Sequence, residues 1–291
     1  MKNDASILPD RGVLKITGEA EEFLHRLVTN SVLKIEPGEA RFAGLLSPQG
    51  KLLFDFFIVP LPEGASAGFY LDCTRDQADD LLKRLTFHKM RAKIALENVS
   101  DRLGVAAFWG ALPPEIAEGV LYKDPRAQAM GFRLAAPHAL LAKIAPNDEA
   151  AYEAHRIALG VPRGGVDFVY GDAFPHDANL DAVHGVDFDK GCYVGQEIVA
   201  RVHFRKTARK RIVKVHFNGD APAPGTDILF GDVAIGAVGS SAGPEGLASL
   251  RLDRYEDAKA AGVPLTADGT TLEAEVPEAF VATAAGVEKR L

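Results

Sequence analysis

The residues best suited to chemistry in this 291-residue chain lie in one run: Asp187-Phe188-Asp189-Lys190-Gly191-Cys192-Tyr193-Val194-Gly195-Gln196-Glu197-Ile198-Val199-Ala200-Arg201. Cys192 stands between glycines at 191 and 195, which let the backbone approach a ligand closely or take φ > 0. Lys190, two residues before the thiol, would lower its pKa if the two are close in space. From Gln196 onward the pattern reads as a helix. Cys192 then falls near a helix N-terminus, a placement that also favours a thiolate. The same spacing suits a small apolar side chain buried in a turn. Cys192 and Lys190 are the catalytic candidates, and spacing alone leaves a reactive thiol and an inert one both open.

The rest of the composition bounds what that thiol could do. The chain has one other cysteine, Cys73, which follows a strand pattern over 69–72 and reads as structural. Two distant cysteines without metal-type spacing argue for a reducing compartment and against a self-contained zinc or iron–sulfur site. An iron–sulfur cluster normally takes four thiolates, so no metal site is expected from this chain alone. The net charge of −7 disfavours nucleic acid as a general partner. It averages over residues 201–211, which carry six Arg or Lys and no acid. That segment suits a ligand carrying carboxylates, an acidic partner or an RNA backbone, and equally a solvated linker. The longest uncharged stretches, 103–114 and 233–244, are 12 residues each, short of the ~20 apolar residues of a membrane span. No apolar leader follows Met1-Lys2-Asn3-Asp4, so the expected location is cytoplasmic.

The elements that must position the motif can be read in outline. A glycine-bounded strand over 12–18 precedes a helix over 19–32 with Phe23, Leu24, Leu27 and Val28 as its stripe. Apolar runs at 42–46 and 52–59 flank Ser47-Pro48-Gln49-Gly50, the signature of a β-hairpin. A strand at 69–72, a helix over 75–88 and an alternating strand over 91–99 follow. Strands at 103–109 and 131–134 and a helix over 148–160 come next. Residues 163–179 form a Gly-, Pro- and Asp-rich loop without a period. Short strands at 212–217, 233–238 and 247–252 indicate a small β-barrel or sandwich. The class is α+β with largely antiparallel sheets. The domain boundary is expected within 205–211, dividing the chain into 1–205 and 206–291.

The eight residues Lys190-Gly191-Cys192-Tyr193-Val194-Gly195-Gln196-Glu197 resemble the signature of the YgfZ family of folate-binding proteins, themselves similar to the glycine-cleavage T-protein, an aminomethyltransferase. Phe174-Pro175-His176-Asp177-Ala178-Asn179-Leu180-Asp181 resembles the segment preceding that signature. Ser47 to Lys51 resembles the family's hairpin turn, and residues 12–30 its opening strand and helix. The resemblance implies a T-protein-like folate-binding fold with mixed or antiparallel sheets and a C-terminal β-barrel. It also implies tetrahydrofolate as cofactor and a part in the assembly or repair of iron–sulfur enzymes, with a carrier or client protein as partner. Asp55, Asn179, Tyr193, Gln196, Glu197 and Arg201 are its implied cofactor-binding residues. With one motif thiol, Cys192 would be a shared cluster ligand, a thiol-exchange site or a folate-adjacent nucleophile. A folate-dependent one-carbon transferase and a non-catalytic folate-binding module are the alternatives.

Two departures from the relatives argue against aminomethyl transfer itself. The helix equivalent to residues 156–160 usually carries a glutamate that contacts the pterin, and here the matching position is Ala158. A carboxylate can pair with adjacent pterin donors in bidentate fashion, and alanine cannot. The paired aspartates after the transferase's hairpin turn are here Phe54-Asp55. Asp55 could serve a folate nitrogen or face solvent from an alternating strand. His176 and Asp177 sit in a loop, where functional residues gather, but one His–Asp pair is thin support for catalysis. His184 and His203 are spaced irregularly from them, and Trp109 reads as core.

Overall fold

A computed structural model of the chain describes residues 4–62, 67–110, 116, 118–146 and 148–280. The chain divides into two compact units. One comprises Met1–Ser47, Leu53–Tyr152 and Val183–Val194, and the other Pro48–Leu52, Glu153–Ala182 and Gly195–Leu291. Each is assembled from separated segments, whereas the sequence places a single boundary near 205.

The first unit holds two sheets. Strands β1 (Asp4–Leu8), β2 (Arg11–Gly18), β3 (Arg41–Leu46), β4 (Leu52–Pro60), β5 (Gly68–Thr74) and β6 (Ile94–Asn98) precede β7 (Leu103–Trp109), β8 (Val120–Lys123) and β9 (Phe132–Pro137). Five of them form a sheet of order β3-β4-β5-β2-β6, and four a sheet of order β1-β7-β9-β8. The pairings β4–β5, β5–β2 and β2–β6 are antiparallel, as are those of the second sheet. Leu14, Ile16, Phe56, Ile58 and Leu71 bury one face of the larger sheet. Against it lie α1 (Ala20–His25) and α2 (Ala78–Lys89). Helix α2 forms where Leu81 and Leu85, one turn apart, reach the core. Asp79 and Asp80 in its first turn and His88 and Lys89 in its last complement the helix dipole. Helix α3 (His138–Ile144) covers the smaller sheet through Leu141.

Between the sheets' strands runs a buried ionic network. Asp72 on β5 accepts from Arg11 Nε at 2.6 Å, from the Tyr122 hydroxyl at 2.7 Å and from Arg133. Asp124 takes Arg126 in a bidentate pair at 3.0 and 2.7 Å. Tyr152 accepts from both Arg126 and Arg133. Burial would push the Asp72 carboxyl up, but Arg11 and Arg133 hold it below the usual carboxylate range.

The second unit begins its C-terminal run with α5 (Gln196–Arg205), after α4 (Glu149–Ala158), whose residues from Glu153 on belong to this unit. Strands β10 (Lys210–Phe217), β11 (Asp227–Phe230), β12 (Val233–Ala242), β13 (Glu245–Arg251), β14 (Leu265–Ala267) and β15 (Thr270–Glu275) close into a barrel of order β10-β13-β12-β11-β14-β15, with α6 (Leu252–Ala261) inserted after β13. Val213, Val215, Phe217, Ile228, Ile235, Val238, Ala248 and Leu250 fill it. The class is α+β with antiparallel sheets and a C-terminal barrel, as the sequence indicates.

The helix expected over 19–32 stops at His25. Beyond it Val28 bridges Leu45 in strand fashion, and the Thr29 hydroxyl accepts from Gly44 N at 2.8 Å and donates to Gly185 O at 2.6 Å. A β-branched pair with a competing hydroxyl favours that arrangement over another helical turn.

Candidate functional site

In the first unit, the loop carrying Lys190 and Cys192 is laced to the segment after α1. Thr29 O accepts from Asp187 N at 3.0 Å, and Asn30 Nδ2 donates to His184 O at 2.7 Å. Asp187 Oδ1 accepts from the amides of Asp189 and Lys190 at 2.9 and 3.1 Å, an Asx-type turn that shapes the approach to the thiol. Thr29, Asn30 and Asp187 thus hold the motif, and sequence reasoning did not single them out. The available signal was a short polar pair, Thr29-Asn30, interrupting an apolar run.

Lys190 has a specific task here. Its ammonium donates to the carbonyls of His25, Val28 and Asn30 at 2.5, 2.6 and 3.0 Å, which engages all three of its hydrogens. Those carbonyls lie at and beyond the end of α1, where helix carbonyls need partners. Burial lowers the ammonium pKa to about 8, against the opposing charge of Asp187. Its Nζ also stands 5.1 Å from the ring centroid of buried Tyr193, whose hydroxyl is pushed up to about 12 by burial and by Asp187. Lys190 is a positioning residue for the loop in this geometry.

Cys192 is exposed, while Cys73 is buried in β5, where burial pushes its thiol up to about 12. The picture of Cys192 as a small buried apolar residue is excluded. It lies three residues before the cap of α5, which is Gly195 in the left-handed region at φ +81. Asp55 is buried on β4 rather than facing solvent.

The other expected residues lie in the second unit. Asn179 takes a left-handed φ of +54, and its side chain clasps one residue of the barrel. Its Nδ2 donates to Ile212 O at 2.7 Å and its Oδ1 accepts from Ile212 N at 3.2 Å. Glu197 and Arg201 form an exposed i,i+4 pair at 2.8 Å on α5, and Gln196 is its first residue. In the hairpin turn, Gly50 holds φ +78, and a Cβ there would press on Ile198 at 3.1 Å. Ala158 ends α4 on an exposed position. Trp109 is buried in β7, with its ring centroid 5.8 Å from that of Tyr152.

His176 is buried, 3.9 Å from Asp181, which itself binds Arg211 at 2.6 and 2.9 Å. Burial lowers its imidazole pKa to about 4, with Arg211 and His203 adding to that shift and Asp181 opposing it. The unfolded chain therefore takes up this proton near pH 6.5, and the folded one only near 4. Stability from this group is full above pH 6.5 and falls by about 3 kcal/mol as pH drops to 4. Urea titrations of the wild type and His176→Gln between pH 7 and 4 should show a shallower decline in the variant. Parallel declines would refute it.

The geometry defines a class. Two antiparallel sheets, a closed six-stranded barrel and an exposed motif thiol are held on a fold like that of glycine cleavage system aminomethyltransferase T from Bartonella henselae. That structure superposes with a TM-score of 0.72 over 96% of this chain and 86% of its own, at 17% identity. Residues 209–281 match the C-terminal beta-barrel domain of CAF17. The mitochondrial iron-sulfur cluster assembly factor IBA57 of Mus musculus is 33% identical over 280 residues, covering 87% of this chain and 78% of its own. The IBA57 homolog of Mycosarcoma maydis is 37% identical over 227 residues, 72% of this chain. The chain belongs to the family of these IBA57 proteins. It spans 56% and 58% of the length of two fungal relatives, those of Mycosarcoma maydis and Coccidioides immitis. The cytoplasmic location expected from the N-terminal residues is corrected by these relatives, which are named mitochondrial.

Proposed function

We propose that this chain assists iron–sulfur cluster assembly by lending the Cys192 thiolate as one ligand of a cluster it shares with a carrier or client protein. The observation that carries this reading is the contrast between its two cysteines: Cys192 is exposed in the motif loop, and Cys73 is sealed in a strand. One accessible thiol supplies one of the four thiolates a cluster needs, so the remaining ligands come from the partner. Among the described residues no three His, Cys, Asp or Glu side chains gather in a metal-binding group. Ligation requires Cys192 to release its proton. The Lys190 and Asp187 contacts keep the loop in place for the docking of the partner's cluster.

The test is complementation of a deletion strain with wild type and Cys192→Ala, read as an iron–sulfur-dependent tRNA-modifying activity. The variant is expected to accumulate as a folded protein and to restore activity no better than an empty vector. Equal rescue by both would overturn the ligand role.

Tetrahydrofolate belongs to the proposal as a second ligand, supported by the likeness of the fold to an aminomethyltransferase. The donor set fits it only in part. Asn179 has both amide atoms engaged by Ile212, and position 158 has no carboxylate. Asp55, buried in β4, is the carboxylate offered for a pterin. Titration calorimetry with tetrahydrofolate should give heat with the wild type and weaker binding with Asp55→Asn. No heat with the wild type removes folate and leaves the thiol role standing.

A further inference from the structure

Residues 81–96 carry Lys83, Arg84, Lys89, Arg91 and Lys93 and no acid, in a chain of net charge −7. They span most of α2, the turn after it and the start of β6. Phe87 and Met90, 76% and 90% exposed, are the two most exposed large apolar side chains among the described residues. Met90 ends the helix at φ +43, a backbone region that unbranched L residues rarely enter and glycine usually fills.

Three of the five cations around this apolar pair make no ion pair among the described residues. Lys83 pairs with Asp80 at 3.0 Å and Lys93 with Glu19 at 3.9 Å. Among the described residues, Arg84, Lys89 and Arg91 have no ion-pair partner. A cleft of about 310 Å³ opens beside the turn, lined by Phe23, Leu27, Ala92 and Met90 with Lys89 and Arg91 at its edge. Its lining also includes Glu22, which pairs with Arg26, and Glu19, which lies 3.9 Å from Lys93. A second hollow of about 480 Å³ holds Phe54 and Phe87 together with Arg84.

We infer that the end of α2 is a docking surface for an acidic segment of another protein, one that places an apolar side chain in the cleft beside Met90 and its carboxylates against Arg84, Lys89 and Arg91. Exposed Phe and Met are costly to leave in water and are typical anchors at interfaces, methionine because it adapts its shape to a partner. Uncommitted cations around such anchors select a partner of opposite charge and speed its encounter. A shaped cleft fits a protruding side chain better than a flat bilayer does. The inference stands independently of the thiol role.

The chain has three methionines, and Met130 is buried. Methionine-methyl carbon-13 labelling therefore gives a reporter at Met90 with an internal control. The probe is a short helix-forming peptide of glutamate and leucine. Its addition should move the Met90 methyl signal and leave Met130 still, with binding that weakens as salt is raised. The triple variant Arg84→Glu, Lys89→Glu, Arg91→Glu should weaken binding about tenfold or more, and Phe87→Ser several-fold. The Met130 signal checks that each variant is folded. The proposal is overturned if Met90 ignores the peptide, or if the triple variant binds it equally well, which would place binding elsewhere. It is also overturned if Met90 responds only to phosphatidylserine vesicles, a membrane surface, or to protein concentration alone, a second copy.

Discussion

Asp72→Asn is expected to lower the unfolding free energy by about 3–5 kcal/mol, the usual cost of removing one partner from a buried ion pair. Asp72 accepts from Arg11, Arg133 and Tyr122, and it is buried, 1% exposed. Asparagine preserves the shape but leaves two buried guanidinium groups with one carboxylate fewer, and it turns an amide N–H₂ toward them or loses an acceptor. The urea midpoint should fall with the slope unchanged, the mark of a lost interaction rather than a changed denatured state. Adding Arg133→Met should recover part of the loss, because the orphaned charge is then removed as well. The carboxyl is held below its ordinary range, so its contribution is present above the unfolded pKa and disappears as pH falls through the folded one. A loss under about 1 kcal/mol, the scale of an exposed pair, would show that the network is not sealed from water.

Arg156→Met should cost a comparable ~3–5 kcal/mol in the second unit. This guanidinium donates to Val161 O at 2.9 Å, Asp167 at 3.0 Å, Ser240 Oγ at 2.8 Å and both oxygens of Glu153 at 2.8 and 2.5 Å. Asp167 in turn accepts from the amide and hydroxyl of Ser240 at 2.7 and 2.6 Å. The arginine therefore joins α4, the loop after it and strand β12 of the barrel. Its loss leaves the buried Asp167 carboxylate without its Arg156 partner. Thermal unfolding measured against the wild type reads the effect. A Tm within a degree or two would contradict the arrangement.

These two arginine clusters mark where the sequence could be read and where it could not. The strand β2, helix α2, the turn between β3 and β4 and several barrel strands follow from periodicity, because each is decided by neighbours in the chain. The motif thiol stood out for the same reason, as a local run of Gly, Cys and Lys. The network of Arg11, Asp72, Tyr122, Asp124 and Arg133 has no local signature, since Arg11 and Asp72 are 61 positions apart, as are Asp72 and Arg133. The contacts of Lys190 were illegible for a related cause. Two positions from Cys192 in sequence, its charge is directed to carbonyls some 160 positions earlier. Residues 163–179 show no period and read as a loop rich in Gly, Pro and Asp. That loop and the residues just after it are fastened to the barrel by Asp167 on Ser240, Asn179 on Ile212 and Asp181 on Arg211. Hydrogen bonds of side chain to distant backbone leave no pattern in composition.

The discontinuous make-up of the two units bears on how the protein comes into being. The first unit takes its last segment from Val183–Val194, after the ribosome has already delivered Glu153–Ala182 of the second. A nascent chain that has grown only to residue 182 holds both sheets of the first unit but not the Lys190 ammonium that closes the carbonyls after α1. Completion of the first unit therefore waits on residues made after part of the second. The residues that complete the first unit's loop are also those that carry the thiol, so Cys192 takes its place as the first unit is finished.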